Sequence, residues 1–262
     1  MTIKGSMTEI GTYDWAKSTD SSLTKSDKRA IQLMIIKSQL YQLKLFLSTY
    51  LLLNKKRLSK IDFNDIVVPD SLFAKHAEDY ANAVYNPILL NHCYRTYYFG
   101  ALIGQYLQLK VDSEHLYISS LLHDLGLTNQ YKKESCSCCF AVVGARRAEQ
   151  FTNEIGMEEE ASKKIFNAIS MHLNPDISEE QDNETKLLSY GATLDVIGNK
   201  RRCVPKNELK KVLDAYPRKG FKSEILETLK NIDHFKDSRA DYLKEIGFEG
   251  LIHKNKLNQI QQ

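Results

Sequence analysis

Proline and glycine are scarce in this sequence, with five and twelve residues among 262. Sandwiches and barrels need many more turn residues, so the scarcity argues against a β architecture and favours helices. Hydrophobic residues make up 42 % and charged residues 26 %, as in ordinary globular proteins. At this length the chain can bury a sizeable core as one large domain, or as one domain with an extension.

A strong excess of one charge is also missing, because the net charge is only +3. The sequence therefore gives no reason to expect a nucleic-acid or membrane partner. The five cysteines are an odd number, and three of them crowd together at Cys136, Cys138 and Cys139. That spacing is neither a disulfide framework nor the paired pattern of a zinc motif. Since the N-terminus has no basic-then-apolar signal pattern, we expect a cytoplasmic protein.

Residues 1–60 are predicted to form an N-terminal extension. Its first 25 residues or so are polar and have no sustained period, which predicts a loosely held tail. Residues 27–60 are predicted to be helical, basic at both ends and apolar on one face. Lysines and glutamines interrupt the apolar stretch, which excludes a membrane span. This helix either covers the main domain or contacts a partner subunit in a homo-oligomer.

Residues 61–262 show helical periodicity in one segment after another, which predicts an all-α bundle. One predicted helix begins at Ser113 as the N-cap and ends at Gly126 as the C-cap. Other predicted helices carry the residues discussed next and cover 91–109, 158–172 and 185–197.

His123 and Asp124 stand together in the last turn of the helix that begins at Ser113. A neutral imidazole beside a carboxylate at the end of a buried helix is costly unless something compensates for the lost hydration. We predict that a divalent metal compensates, with His92 and Asp195 as the remaining ligands.

The residues alone leave alternatives for each of these further candidates. His92 shares a mostly apolar helix face with Arg95 and Phe99, and is either a core histidine or a ligand. Asp195 follows Gly191 in a tight helix contact, and its partner is either Arg95 or a metal. His172 ends an apolar helix stripe, and is either a core histidine or a group that positions water or moves protons.

The order of these residues resembles the HD superfamily of metal-dependent hydrolases. The family has a His on one helix, a His-Asp pair later and a further Asp, which match His92, His123, Asp124 and Asp195. Six segments look more narrowly like the branch that includes the cyanamide hydratases, and the similarity runs from about residue 67 to residue 229. These segments are 91–100, 121–126, 143–145, 168–175, 191–198 and 216–222.

The resemblance implies one divalent transition metal, which we expect to be Zn²⁺, with Fe, Mn or Ni as alternatives. It implies a hydratase that adds water to a small nitrile such as cyanamide and gives urea. Asp124 and His172 are the candidate proton-shuttling residues. The candidates for contact with the small-molecule substrate are Arg95, Tyr97, Phe99 and Phe140, with Tyr131 also available.

Two other functions remain open from the sequence. An HD-type phosphohydrolase would use the same site on nucleotides or small phosphomonoesters, although a Glu that such enzymes often carry is replaced here by the run Leu125 to Thr128. Basic residues for a phosphoryl group are also few. A scaffold module without a working metal site is the third reading, against which the complete set of four candidate ligands argues.

Overall fold

A computed structural model describes residues 9–259, and within that range the protein is all-α, with thirteen α-helices and no strand. No helix in this range is long and apolar enough to cross a membrane. The helices are α1 (Tyr13–Ser18), α2 (Lys25–Tyr50), α3 (Lys55–Leu58), α4 (Leu72–Val84), α5 (Pro87–Leu107), α6 (Ser113–Leu122), α7 (Phe140–Glu154), α8 (Glu159–Met171), α9 (Asn183–Ile197), α10 (Lys206–Ala215), α11 (Phe221–Asn231), α12 (Arg239–Glu245) and α13 (Phe248–Lys254).

The centre of the bundle is the contact between α5 and α9, which glycines make unusually close. A Cβ atom added to Gly191 would collide with the carbonyl oxygen of Thr96, and one added to Gly100 would lie 2.7 Å from the carbonyl oxygen of Leu187. The tight helix contact predicted at Gly191 is therefore confirmed. One turn beyond Gly191, the same approach brings Asp195 against His92.

The boundaries predicted for α6 were wrong at both ends. Asp112, rather than Ser113, is the N-cap, and its side chain accepts hydrogen bonds from the backbone N–H groups of Glu114 and His115. The helix ends at Leu122, and Gly126 lies in a following 3₁₀ turn. Gly126 is needed there because any Cβ would collide with the backbone of Phe140.

The N-terminal tail predicted to be loosely held is instead packed on the bundle over the part that the structure describes. Ile10, Trp15 and Leu23 are buried. The backbone N–H of Tyr13 donates to the side chain of Asn167 on α8 over 2.7 Å. These isolated apolar residues have no period that a sequence pattern could detect, which explains the wrong prediction. The part of the predicted tail at residues 1–8 lies outside the described residues.

Helix α2 contacts the bundle along one side, where Ile31 and Leu45 are buried. The covering role and the partner contact predicted for the N-terminal helix both stay predictions. Thr24 and Asp27 form a capping box at its start. Its inward contacts are both apolar and polar: Ile31 and Leu45 join the hydrophobic core, the backbone N–H of Lys200 donates to Gln42, and Asn199 donates to Ser38. The division of the chain into an extension and a main domain at residue 60 stays a prediction.

Candidate metal centre

Three side chains from two helices converge on one point in the buried interior. His92 lies in the second turn of α5, while His123 and Asp124 follow the last residue of α6. All three are less than 4 % exposed, and their ligand atoms lie within 4.8 Å of one another. The structure thus brings together three of the four predicted metal ligands.

The spacing of the three ligand atoms fits a small divalent ion. The Nε2 atoms of His92 and His123 are 3.3 Å apart, and they lie 3.5 and 3.3 Å from Oδ2 of Asp124. Ligands placed about 2.1 Å from a tetrahedral zinc ion are about 3.4 Å from one another. Two imidazoles and a carboxylate also suit Zn²⁺, Fe²⁺, Mn²⁺ or Ni²⁺. The residues present therefore fit the predicted metal.

Hydrogen bonds on the other ring nitrogens fix the orientation of both histidines. Nδ1 of His123 donates to the carbonyl oxygen of Ser120 over 2.7 Å, and Nδ1 of His92 donates to Oδ2 of Asp195 over 2.7 Å. Because the partners only accept hydrogen bonds, the protons of the neutral rings sit on Nδ1 and the lone pairs of Nε2 face each other. Three converging acceptors repel one another until a cation neutralises them.

The pKa shifts of the three side chains show how each is affected by burial and by its neighbours. Burial opposes the charged form of His123, but the adjacent Asp124 outweighs it and raises the pKa of His123 well above its ordinary value. Burial lowers the pKa of His92 despite the Asp195 contact, so His92 stays neutral. Burial opposes ionisation of Asp124 as well, but His123 holds its pKa well below the usual range. A cation bound at the centre would therefore compete with a proton for Nε2 of His123.

Asp195, the fourth predicted ligand, lies behind His92 rather than beside the other three. Oδ1 accepts from Nε of Arg218 over 2.9 Å, and Oδ2 accepts from Arg95 over 2.8 Å and from His92. Of the two partners that the sequence left open, Arg95 is therefore the one observed. Both carboxylate oxygens are occupied by these donors, so the arrangement gives no support to direct ligation. The two arginines outweigh burial and hold the pKa of Asp195 well below its usual range.

Phe221 packs against His92 and against the two arginines that bind Asp195. Its ring stacks on His92 with the centroids 4.7 Å apart, and the guanidinium groups of Arg95 and Arg218 each lie 4.9 Å from its centroid. Arg218 and Phe221 were missed as site residues. Both lie in segment 216–222, which was noticed only as part of the resemblance.

His172 lies beside the centre in the position predicted for a proton-shuttling residue. Its Nδ1 donates to the carbonyl oxygen of Ile169 over 2.6 Å, and its Nε2 lies 3.8 Å from Oδ1 of Asp124. Like His123, it follows the last residue of a helix, where a carbonyl oxygen of the final turn lacks a helical partner. Burial and the nearby His123 lower the pKa of His172 to about 3, so its ring is neutral at physiological pH.

A cavity of about 70 Å³ opens directly onto these side chains. Besides His92, His123, Asp124 and His172, its walls are mostly apolar and include the predicted substrate contact Phe140. Several wall residues come from the C-terminal part of the chain and were not singled out in the sequence. They include His234, Lys244, Phe248 and Glu249.

The other predicted substrate contacts do not line this cavity. Arg95 is bonded to Asp195 and to the carbonyl oxygen of Pro217. Phe99 is fully buried in the core two turns, or about 10 Å, along α5 from His92. Tyr97 points elsewhere and donates to the carbonyl oxygen of Val67, while Tyr131 contacts Tyr80. Sharing a helix face with His92 was therefore not enough to place Arg95 and Phe99 at the cavity.

The cysteine cluster lies apart from the centre. Cys138 and Cys139 are buried beside Ser21, whose hydroxyl accepts from the backbone N–H of Cys139 over 2.9 Å. Cys136 is exposed. None of the three belongs to the metal-ligand group found among the described residues.

Residues 89–196 match the family model of the HD domain. This segment spans α5 to α9 and contains all four predicted ligands together with His172. The all-α architecture is consistent with that match, and HD domains are as a group metal-dependent hydrolases. No curated protein matches the sequence.

Proposed function

We propose that the protein is a metal-dependent hydratase that adds water to a small neutral nitrile such as cyanamide and gives urea. The observation that carries the proposal is the small, mostly apolar cavity against which His92, His123 and Asp124 converge. The HD-domain match supports the broader class of metal-dependent enzyme. The choice of substrate depends on the cavity.

The size of the cavity favours a substrate of a few heavy atoms. Sites for drug-sized ligands enclose about 300–1,000 Å³, whereas this cavity encloses about 70 Å³. Phe140 and Leu127 form part of its apolar wall. A nucleotide would therefore have to leave most of its surface outside.

The charges around the cavity favour a neutral substrate. Among the described residues that line it, Lys244 is the one lysine or arginine, and Glu249 in the same wall opposes its charge. The buried Arg95 and Arg218 are occupied by Asp195. A phosphoryl group needs several cations in its transition state, which this wall does not offer.

In the proposed reaction, the side chains at the centre have separate roles in metal binding and proton transfer. His92, His123 and Asp124 would hold the ion, which supplies nucleophilic hydroxide when bound because it lowers the pKa of water to roughly 7. The neutral Nε2 of His172 can relay the proton that the water gives up, but with a pKa of about 3 it does not hold that proton. Oδ1 of Asp124, 3.8 Å away, is close enough to share that proton. The same proton is then available to the nitrile nitrogen.

The proposed reaction consumes one water and releases nothing. The water oxygen bonds to the nitrile carbon, its two protons end on the former nitrile nitrogen, and tautomerisation leaves urea. No ammonia forms, which distinguishes the reaction from hydrolysis of an amide.

The test measures urea and ammonia from cyanamide with protein loaded separately with Zn²⁺, Fe²⁺, Mn²⁺ or Ni²⁺. We expect urea without ammonia, and a loss of at least about 100-fold in His172→Asn, as is typical for general acid–base groups. His253→Asn is the matched control, because His253 is exposed on α13. Metal-loaded protein that makes no urea from cyanamide or from a panel of small nitriles would rule the proposal out.

A phosphomonoesterase is the second candidate, and Lys244 is the observation that favours it. This side chain lines the cavity and could pair with a small phosphate. Release of phosphate from small phosphomonoesters, abolished by Lys244→Met, would select this candidate. Under the hydratase proposal, Lys244→Met keeps most of its urea formation.

A further inference from the structure

Helix α2 exposes an unusual number of large apolar side chains. Among the described residues, fifteen large apolar side chains are exposed, and ten of them lie between Leu33 and Leu53. Only Ile31 and Leu45 of this 26-residue helix are buried. Monomeric proteins rarely present contiguous apolar patches of this kind to water.

Six of these side chains repeat in the pattern of a coiled coil. They alternate at spacings of three and four residues over two and a half heptads, and each is at least 48 % exposed. Three occupy the a positions of a heptad and three the d positions. We call this set the α2 seam; it consists of Leu33, Ile36, Leu40, Leu43, Leu47 and Tyr50.

The seam faces away from the rest of the protein. Ile31, Ser38 and Leu45 occupy the f positions, opposite a and d, and they are turned toward the bundle, as are the partly buried Ile35 and Tyr41 at neighbouring positions. Lys200 and Asn199 bind the same inward side through Gln42 and Ser38. The bundle thus holds α2 by one side and leaves the seam, about 26 Å long, open to a second helix.

We propose that the α2 seam joins two copies of this chain in a parallel two-stranded coiled coil. The seam is self-complementary, because a second copy in the same register sets each apolar side chain of one helix against the same side chain of the other. The residues that flank the seam favour the parallel orientation. Lys37 and Lys44 occupy e positions, while Gln32 and Gln39 occupy g positions. Parallel pairing places each e lysine opposite a g glutamine, whereas antiparallel pairing places lysine opposite lysine. The interface is independent of the proposed reaction.

Sedimentation equilibrium of the full chain tests the assembly. The expected mass is twice 30.1 kDa at micromolar concentration. The double variant Leu40→Glu/Leu43→Glu should raise the dissociation constant at least about 100-fold, because two carboxylates would be buried in each seam. Leu72→Glu on α4 is the matched control, since this leucine is 73 % exposed away from the seam, and it should leave the dimer intact.

The variants should fold normally, because the substituted side chains contact solvent in the single chain. Circular dichroism and the melting temperature of the dissociated variant check this. A parent protein that sediments as one chain at 50 µM, on the order of ordinary assay concentrations, would overturn the proposal. A dimer that the double variant leaves unchanged would overturn it equally.

Cross-linking determines the orientation. In a Cys136→Ser background, Leu33→Cys and Tyr50→Cys should each form a disulfide with the same residue of the second copy when an oxidant is added. Antiparallel pairing would instead give a cross-link only when the two variants are mixed. That outcome would contradict the parallel arrangement.

Discussion

At the scale of single residues, Asp195 is the counter-charge for two buried guanidinium groups and the acceptor that orients His92. Asp195→Asn should therefore lower the free energy of unfolding of the chelated protein by about 3–5 kcal/mol, the range for breaking a buried ion pair. Urea denaturation measures this without any contribution from metal. Glu134→Gln is the control, because it breaks a partly exposed pair with Arg147, worth at most about 1 kcal/mol. Equal losses in the two variants would contradict this account of Asp195.

His172 gives a residue-scale prediction for pH. Its folded-state pKa of about 3 lies below the ordinary value of 6.5. Below pH 6.5 the unfolded chain therefore binds a proton at His172 that the folded protein does not bind. The free energy of unfolding falls as a result while the pH drops toward 3. At pH 5 this contributes a loss of about 2 kcal/mol relative to pH 7.5. Denaturant titrations of the chelated protein at pH 5 and pH 7.5 measure this loss. Between these two pH values, the His172→Asn variant should lose about 2 kcal/mol less stability than the parent protein. Parallel losses in both proteins would show that His172 does not titrate as described.

At the scale of elements, the contact between α5 and α9 sets the geometry of the centre. Gly191→Ala would place a methyl group against the carbonyl oxygen of Thr96 and force the helices apart. We expect a loss of about 1–3 kcal/mol in stability, as for other overpacked cores, together with weaker metal binding because Asp195 would move from His92. Gly250→Ala on α13 is the control, since nothing lies within 4 Å of the added Cβ, and it should cost nothing. Unchanged thermal stability in Gly191→Ala would refute the close-contact argument.

Some features of the centre could be predicted from the sequence of these helices, and others could not. The HD family has a known residue order, so His92, His123 and Asp124 could be predicted to converge, although α5 and α6 are buried on most sides and have weak periods. The partner of Asp195 could not be decided, because Arg95 and a metal both satisfy a buried carboxylate. Arg218 comes from the connection between α10 and α11, where no periodicity indicates which way a side chain points.

At the scale of the whole molecule, the parts that escaped prediction depend on contacts distant in sequence. Trp15 is buried by α8 and by Arg239, more than 100 residues away. The cavity wall includes His234, from the connection between α11 and α12, and Glu249 of α13, beyond the region where family resemblance was visible. The apolar face of α2 was predicted, but its exposure to solvent was not. Which face of the helix is exposed depends on how α2 packs on the bundle.

Metal binding should stabilise the whole fold, because His92 on α5 and the adjacent pair His123 and Asp124 after α6 converge only when the chain is folded. At a free metal concentration 100 times the dissociation constant, the gain is about 2.7 kcal/mol, and thermal melting with and without chelator measures it. The gain should shrink as the pH falls, because the raised pKa of His123 makes a proton compete with the ion. His123→Ala should abolish the gain, while His253→Ala, on the exposed side of α13, should retain it. A chelator-insensitive melting temperature, with no metal in the purified protein, would instead identify a scaffold module that lacks a working centre.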